Sequence, residues 1–134
     1  GALDDTRIES GVRLDNLIQI AHGVRIGRNT AIAACTGVAG SVEIGSNCLI
    51  GGGVLIADHA KLTDRVSVLS GSGVPSNIDQ SGVYASGTPV VPYQAWLRNM
   101  VQFKKLNELA KKIKRLEKNT LNSQSGQAEE DDDK

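Results

Sequence analysis

Aromatic residues are scarce: they make up 3% of the 134 residues, with one Trp, one Phe and two Tyr. A conventional globular core, which leans on rings for much of its buried area, is therefore excluded. Cysteine is almost as rare, and Cys35 and Cys48 are too few for a disulfide framework and lack metal-type spacing. Cys48 reads as a buried free thiol rather than a disulfide partner or a nucleophile. The two histidines, His22 and His59, are one short of a three-histidine metal site, so no metal is expected. No apolar run approaches the ~20 residues of a membrane span, and no stretch reads as a signal peptide. The expected setting is reducing and cytoplasmic. Net charge is zero, 15 basic residues against 15 acidic.

What the chain does have is a period of six. Aliphatic residues stand at Ile8, Leu14, Ile20, Ile26, Ile32, Val38, Ile44, Ile50, Ile56, Leu62, Val68 and Val74 without a miss. Four residues after each comes a second, mostly small register: Val12, Ile18, Val24, Thr30, Thr36, Val42, Cys48, Val54, Ala60, Val66, Ser72 and Ile78. Ala2 and Thr6 fit the same frame, so residues 2–79 hold thirteen hexads. A helical period of 3.6 would drift out of phase within two repeats, and a strand period of two would mark every alternate residue. An unbroken six predicts a parallel β-helix, with three hexads per 18-residue coil and the aliphatic residues pointing inward. Gly23, Asn29, Asn47, Gly53, Gly71 and Asn77 suit turns that need a positive φ. A little over four coils make a rod about 20 Å long at the ~4.8 Å strand spacing. A solenoid needs a cap over each terminal coil, and none is visible at the start, so a truncated rod is expected.

The charge is arranged in blocks. Residues 1–93 carry six Lys/Arg and eight Asp/Glu, whereas residues 94–122 carry eight basic residues and only Glu108 and Glu117. The hexads end near Asp79, and residues 80–93, with Gly82, Gly87, Pro89 and Pro92, read as an extended loop. Residues 94–120 read as a basic amphipathic helix: Trp96, Met100 and Phe103 share one stripe, and Leu106, Leu109, Ile113 and Leu116 form a heptad-like one. That helix is expected to lie against a neighbouring subunit's helix or the rod's end. Residues 121–134 read as a disordered acidic tail. The lysines of the helix admit three readings: a solvated face, a nucleic-acid contact unsupported by any motif, or a dock for an acidic protein.

His22 and His59 sit outside both inward registers, two coils apart, and are expected on one side of the rod about 10 Å apart. Each is either a solvated turn residue or a functional imidazole. A histidine is the natural general base near neutral pH and needs an orienting partner. Asp15 and Asn16 lie in the preceding hexad, on another face of the same chain, so contact with His22 is not assured within one chain and could be made across a subunit interface. A glycine such as Gly40 can present a backbone N–H to an oxyanion.

Several strings together are more specific than the hexads. Leu14-Asp15-Asn16-Leu17-Ile18-Gln19-Ile20-Ala21-His22 is followed by Val38-Ala39-Gly40-Ser41, Ile50-Gly51-Gly52, then Tyr84-Ala85-Ser86-Gly87-Thr88-Pro89 and Trp96. From about Ala2 to Lys118 the chain resembles the UDP-3-O-(3-hydroxyacyl)glucosamine N-acyltransferases of lipid A and lipopolysaccharide biosynthesis, members of the hexapeptide-repeat acyltransferase superfamily. The resemblance implies a left-handed β-helix and a homotrimer with active sites between subunits. It implies transfer of a 3-hydroxyacyl chain from acyl carrier protein, whose phosphopantetheine holds the acyl group, to the 2-amino group of a UDP-3-O-acylglucosamine. His22 would then be the general base and Gly40 the oxyanion donor, with Asp15, Asn16 and His59 binding substrate. No further cofactor and no covalent intermediate are implied. The family's N-terminal uridine-binding domain is missing from these residues, so a C-terminal fragment is expected. Ser70-Gly71-Ser72-Gly73 puts no bulky side chain where the family holds its acyl chain, which favours a long one. The rival readings are another hexapeptide acyl- or acetyltransferase, or a non-catalytic trimerisation module.

Overall fold

The computed structural model describes the backbone of residues 5–132 and the side chains of residues 5–126; Ala2, the first residue of the hexad frame, lies outside them. The inward residues recur every 18 positions on each of three walls. The first coil holds β1 (Arg7–Ile8), β2 (Arg13–Leu14) and β3 (Gln19–Ile20). The second holds β4 (Arg25–Ile26), β5 (Ala31–Ile32) and β6 (Gly37–Val38). The third holds β7 (Glu43–Ile44), β8 (Leu49–Ile50) and β9 (Leu55–Ile56). The fourth holds β10 (Lys61–Leu62), β11 (Val66–Val68) and β12 (Gly73–Val74). Every strand pairs in parallel with its equivalent one coil on, as in Arg7↔Arg25↔Glu43 and Gln19↔Gly37↔Leu55. The result is a three-walled parallel β-helix. We call the walls A (β1, β4, β7, β10), B (β2, β5, β8, β11) and C (β3, β6, β9, β12).

Both inward registers are buried. From Val24 to Val74 their members are at most 5% exposed, and they form one continuous core. The two buried threonines follow one rule: each hydroxyl donates to a turn carbonyl and accepts an N–H from the coil above. Thr30 Oγ1 donates to the Gly45 carbonyl at 2.7 Å and accepts from the Cys48 N–H at 3.1 Å. Thr36 does the same with Gly51 and Val54. These polar groups can therefore occupy an apolar stack without an unmet hydrogen bond.

The turns are as regular as the strands. From Asn29 to Gly71 the third residue of each turn has a positive φ, near +60° at most of them, and donates its N–H to the carbonyl of the second residue in the equivalent turn one coil earlier, as Cys35 does to Asn16 at 3.1 Å and Arg65 to Ser46 at 2.9 Å. The left-handed conformation is what aims that N–H along the axis. It is therefore imposed on Leu17, Cys35, Ser41, His59 and Arg65 as well as on the expected Gly23, Asn29, Asn47, Gly53 and Gly71; Asn77, expected there too, lies in the shortened turn after β12 and is not at positive φ. Coil-to-coil bonding outweighs the local cost of roughly 1–2 kcal/mol that a side chain meets there.

Three expectations change at the C-terminal end. The turn after β12 is two residues shorter than its predecessors, so Ile78 bridges Leu62, 16 positions earlier, and joins the inward ladder instead of the small register. Six residues on, Tyr84 continues that ladder in β13 (Gly82–Tyr84), which pairs with β11 and extends wall B. Part of the expected loop is thus a further coil. Residues 89–134 form a second compact unit. In it α1 (Tyr93–Lys104) is followed by α2 (Leu106–Asp132), with Lys105 between them at φ −98°, ψ 5°. The expected single helix is therefore interrupted where the apolar stripe passes from its first set to its second. The expected disordered tail is helical as far as Asp132; from 119 on no proline intervenes, and the Thr120, Ser123 and Ser125 hydroxyls bond carbonyls four residues back instead of breaking the helix. The last two residues of that tail, Asp133 and Lys134, lie outside the described residues.

Candidate active site

The turn between walls C and A repeats at Ala21-His22-Gly23, Ala39-Gly40-Ser41 and Ala57-Asp58-His59. Because these turns stack at 18-residue intervals, His22, Gly40 and Asp58 occupy the same place in successive coils. The Ser41 N–H donates to the His22 carbonyl at 2.9 Å, and the His59 N–H to the Gly40 carbonyl at 3.0 Å. Both histidines are exposed on this one edge, as the two-coil spacing predicts.

The imidazole of His22 lies over Gly40. A Cβ on residue 40 would stand 2.9 Å from its Cε1 and 3.0 Å from its Nε2, closer than real Cβ contacts come. Gly40 is half-buried, and among the described residues its N–H donates to no acceptor. An imidazole that can take a proton and a vacant backbone donor therefore stand side by side. That pair suits attack of a neutral nucleophile on a carbonyl: one group receives the proton and the other meets the charge on oxygen. The second histidine sits one coil beyond Gly40 and two beyond His22, with His59 Nε2 4.0 Å from Asp58 Oδ2.

Asp15 and Asn16 occupy the turn between walls B and C, at the other end of β3 from His22. The Asp15 carboxylate accepts the Asn16 N–H at 2.7 Å. Within one chain, then, the structure brings together His22, Gly40 and His59, and it leaves Asp15 and Asn16 on a separate edge. Asp58 is a neighbour that the sequence reading does not single out. Its signal is the 18-residue spacing of 22, 40 and 58, which emerges only when the three-hexad step is followed down one edge.

A concavity of about 820 Å³ runs along wall B past Leu49, Ser67, Leu69 and Val83, not over the histidines. A smaller apolar groove of about 500 Å³ starts beside the histidine edge at Ala57 and follows wall C past Leu55, Gly73, Val74 and Pro75 to Ser86. Of the two thiols, Cys35 is exposed and Cys48 is buried. Burial pushes the Cys48 thiol above its ordinary value, against the opposing pull of hydrogen bonds from the Val66 backbone and the Thr30 side chain. Neither thiol is on the histidine edge. No helix among the described residues is long and apolar enough to cross a membrane.

The family model described as bacterial transferase hexapeptide (six repeats) matches residues 5–40, within the first three coils of the solenoid. Over most of its length the chain is similar to proteins named UDP-3-O-acylglucosamine N-acyltransferase. It is 49% identical over 117 residues to that of Hahella chejuensis, 51% over 118 residues to that of Chromohalobacter salexigens, and 44% over 118 residues to that of Coxiella burnetii. These alignments cover 87–88% of this chain and 34% of each relative, so the chain spans about a third of their length.

Proposed function

We propose that this chain carries the acyl-transfer edge of a UDP-3-O-acylglucosamine N-acyltransferase, which joins a 3-hydroxyacyl group from acyl carrier protein to a sugar amine. The observation that carries the proposal is the His22 ring lying against the unpartnered Gly40 N–H in a chain 44–51% identical to enzymes of that name. In the reaction the 2-amino group of the UDP-sugar attacks the thioester carbonyl. His22 takes a proton from the nitrogen as the C–N bond forms. The Gly40 N–H meets the oxyanion. Collapse breaks the C–S bond, and the proton held by His22 is available to the departing phosphopantetheine thiolate.

Asp15 and Asn16 stand on a different edge from the histidines. A homotrimer in which one copy's Asp15–Asn16 edge faces the next copy's histidine edge would supply the missing wall. The wall C groove beyond Ala57 suits the acyl chain: its lining is apolar, and at Gly73 a side chain would meet nothing within 4 Å, which leaves room for a long chain. The exposed basic residues of α1 and α2, among them Lys104, Lys111 and Arg115, suit an acidic carrier protein. The deciding experiment is turnover of the full-length enzyme with acyl-carrier-protein thioester against acetyl-CoA. Exclusive use of acetyl-CoA would overturn the donor assignment.

A further inference from the structure

The stacked turns share a small device whose parts can be compared. In two of the turns the residue before the left-handed position donates its N–H to the side chain of its equivalent one coil on. Between walls A and B, the Asp64 carboxylate accepts the Ser46 N–H at 2.7 Å. Between walls B and C, the Ser70 hydroxyl accepts the Gly52 N–H at 3.2 Å. Asp58 stands in the same relation to Gly40 as Asp64 does to Ser46: 18 residues on, in the same turn position, ahead of a residue at φ +60° or +55°. Among the described residues these are the two aspartates at that position. One is closed onto its N–H. The other is open, turned instead toward His59.

We infer that Asp58 is a positioning residue that competes with the reacting oxygen for the Gly40 N–H, and that His59 keeps it open. Backbone geometry allows the closed state, because the neighbouring edge adopts it with the same residue type. The open state is held loosely: 4.0 Å is beyond hydrogen-bond range, and the two side chains are 75% and 76% exposed. When the carboxylate closes, the donor is filled and a negative charge sits where the oxyanion would form. When it turns to His59, the N–H is free. His59 thus acts on the reaction through Asp58, in addition to any contact of its own with the acyl donor. The consequence for turnover rests on the acyl-transfer reading above; the two-position carboxylate does not.

The test separates the two. In the chain as it stands, the Gly40 amide resonance is followed in wild type, His59→Gly, Asp58→Ala and the double variant; glycine suits the left-handed backbone at 59. Removing His59 should move the Gly40 amide downfield toward a carboxylate-bonded shift, and Asp58→Ala should cancel that move. In the full-length enzyme the same four forms are assayed. The loss of kcat on His59→Gly should be about two- to five-fold larger with Asp58 present than without it, the bias an exposed ion pair can exert. A Gly40 amide unmoved by His59→Gly overturns the inference. An amide that switches while kcat ignores Asp58 upholds the two-position carboxylate and overturns the role given to the Gly40 N–H in catalysis.

Discussion

His22 and Gly40 are 18 residues apart and touch: the imidazole of one covers the place where the other would carry a side chain, with Cε1 2.9 Å and Nε2 3.0 Å from it. A turn of the solenoid converts sequence distance into stacking, so each coil can set the geometry of its neighbour's functional group.

Replacing Gly40 with Ala should therefore move the ring and not unfold the coil. Gly40 is not among the residues at positive φ, so alanine is tolerated by its backbone, and the ring is free to swing outward. A displacement of about 1 Å at a catalytic group costs about 100-fold in rate. The expected result is that kcat falls by that order while KM and the melting temperature barely change. A large loss of melting temperature would contradict it.

His22→Ala in the full-length enzyme removes the proposed base, and turnover should fall by about 10²–10⁴-fold. The edge is exposed and the His22 carbonyl, which bonds the Ser41 N–H, is kept. Circular dichroism and oligomer size should accordingly match the wild type. Unchanged turnover would remove the base assignment.

Thr36→Val keeps the shape of a buried residue and deletes its hydroxyl. The Gly51 carbonyl and the Val54 N–H each lose a partner inside the stack. Each unmet group costs about 1–3 kcal/mol. Urea unfolding should show a loss of that order, and Thr36→Ser should restore most of it.

Gly73→Met would place a long side chain in the open space of the wall C groove. Acyl-chain preference should shift toward shorter donors. An unaltered preference, measured by competition between thioesters of different length, would show that the chain lies elsewhere.

The two thiols should differ in reactivity and in their link to pH. Cys35 is exposed and should react quickly with a disulfide reagent, while Cys48 waits for unfolding. Burial raises the Cys48 pKa above its ordinary 9.0, so the folded chain holds the thiol proton more tightly than the unfolded one. Its contribution to stability is then fully present below pH 9.0 and is lost as pH rises through the folded value. Cys48→Ala should flatten the alkaline limb of a stability–pH curve.

The ladders were legible because burial writes itself into composition. Every place of the aliphatic ladder from Ile26 to Val74 is apolar and buried, so the period survives in the sequence and gives walls, coils and the edge on which His22 and His59 sit. The end of the repeat was not legible in the same way. Ile78 fits the six-residue count in the small register, and only its pairing with Leu62 shows that a turn has lost two residues and that Tyr84 belongs to another strand. The helix break at Lys105 and the helical run to Asp132 escape the sequence for a related reason: exposed polar residues carry little pattern for a count to use.

The site divides along the same line. Sequence alone determined which residue types were available for acid–base work and that the two imidazoles share an edge, because an unbroken period fixes direction. It did not determine which groups meet. That the His22 ring rests on Gly40, that Asp15 stands on another edge, and that Asp58 faces His59 while Asp64 closes on Ser46 are contacts between residues on different coils or alternatives within one turn. Side-chain torsions choose among them, and those torsions answer to neighbours that are close only once the chain has wound.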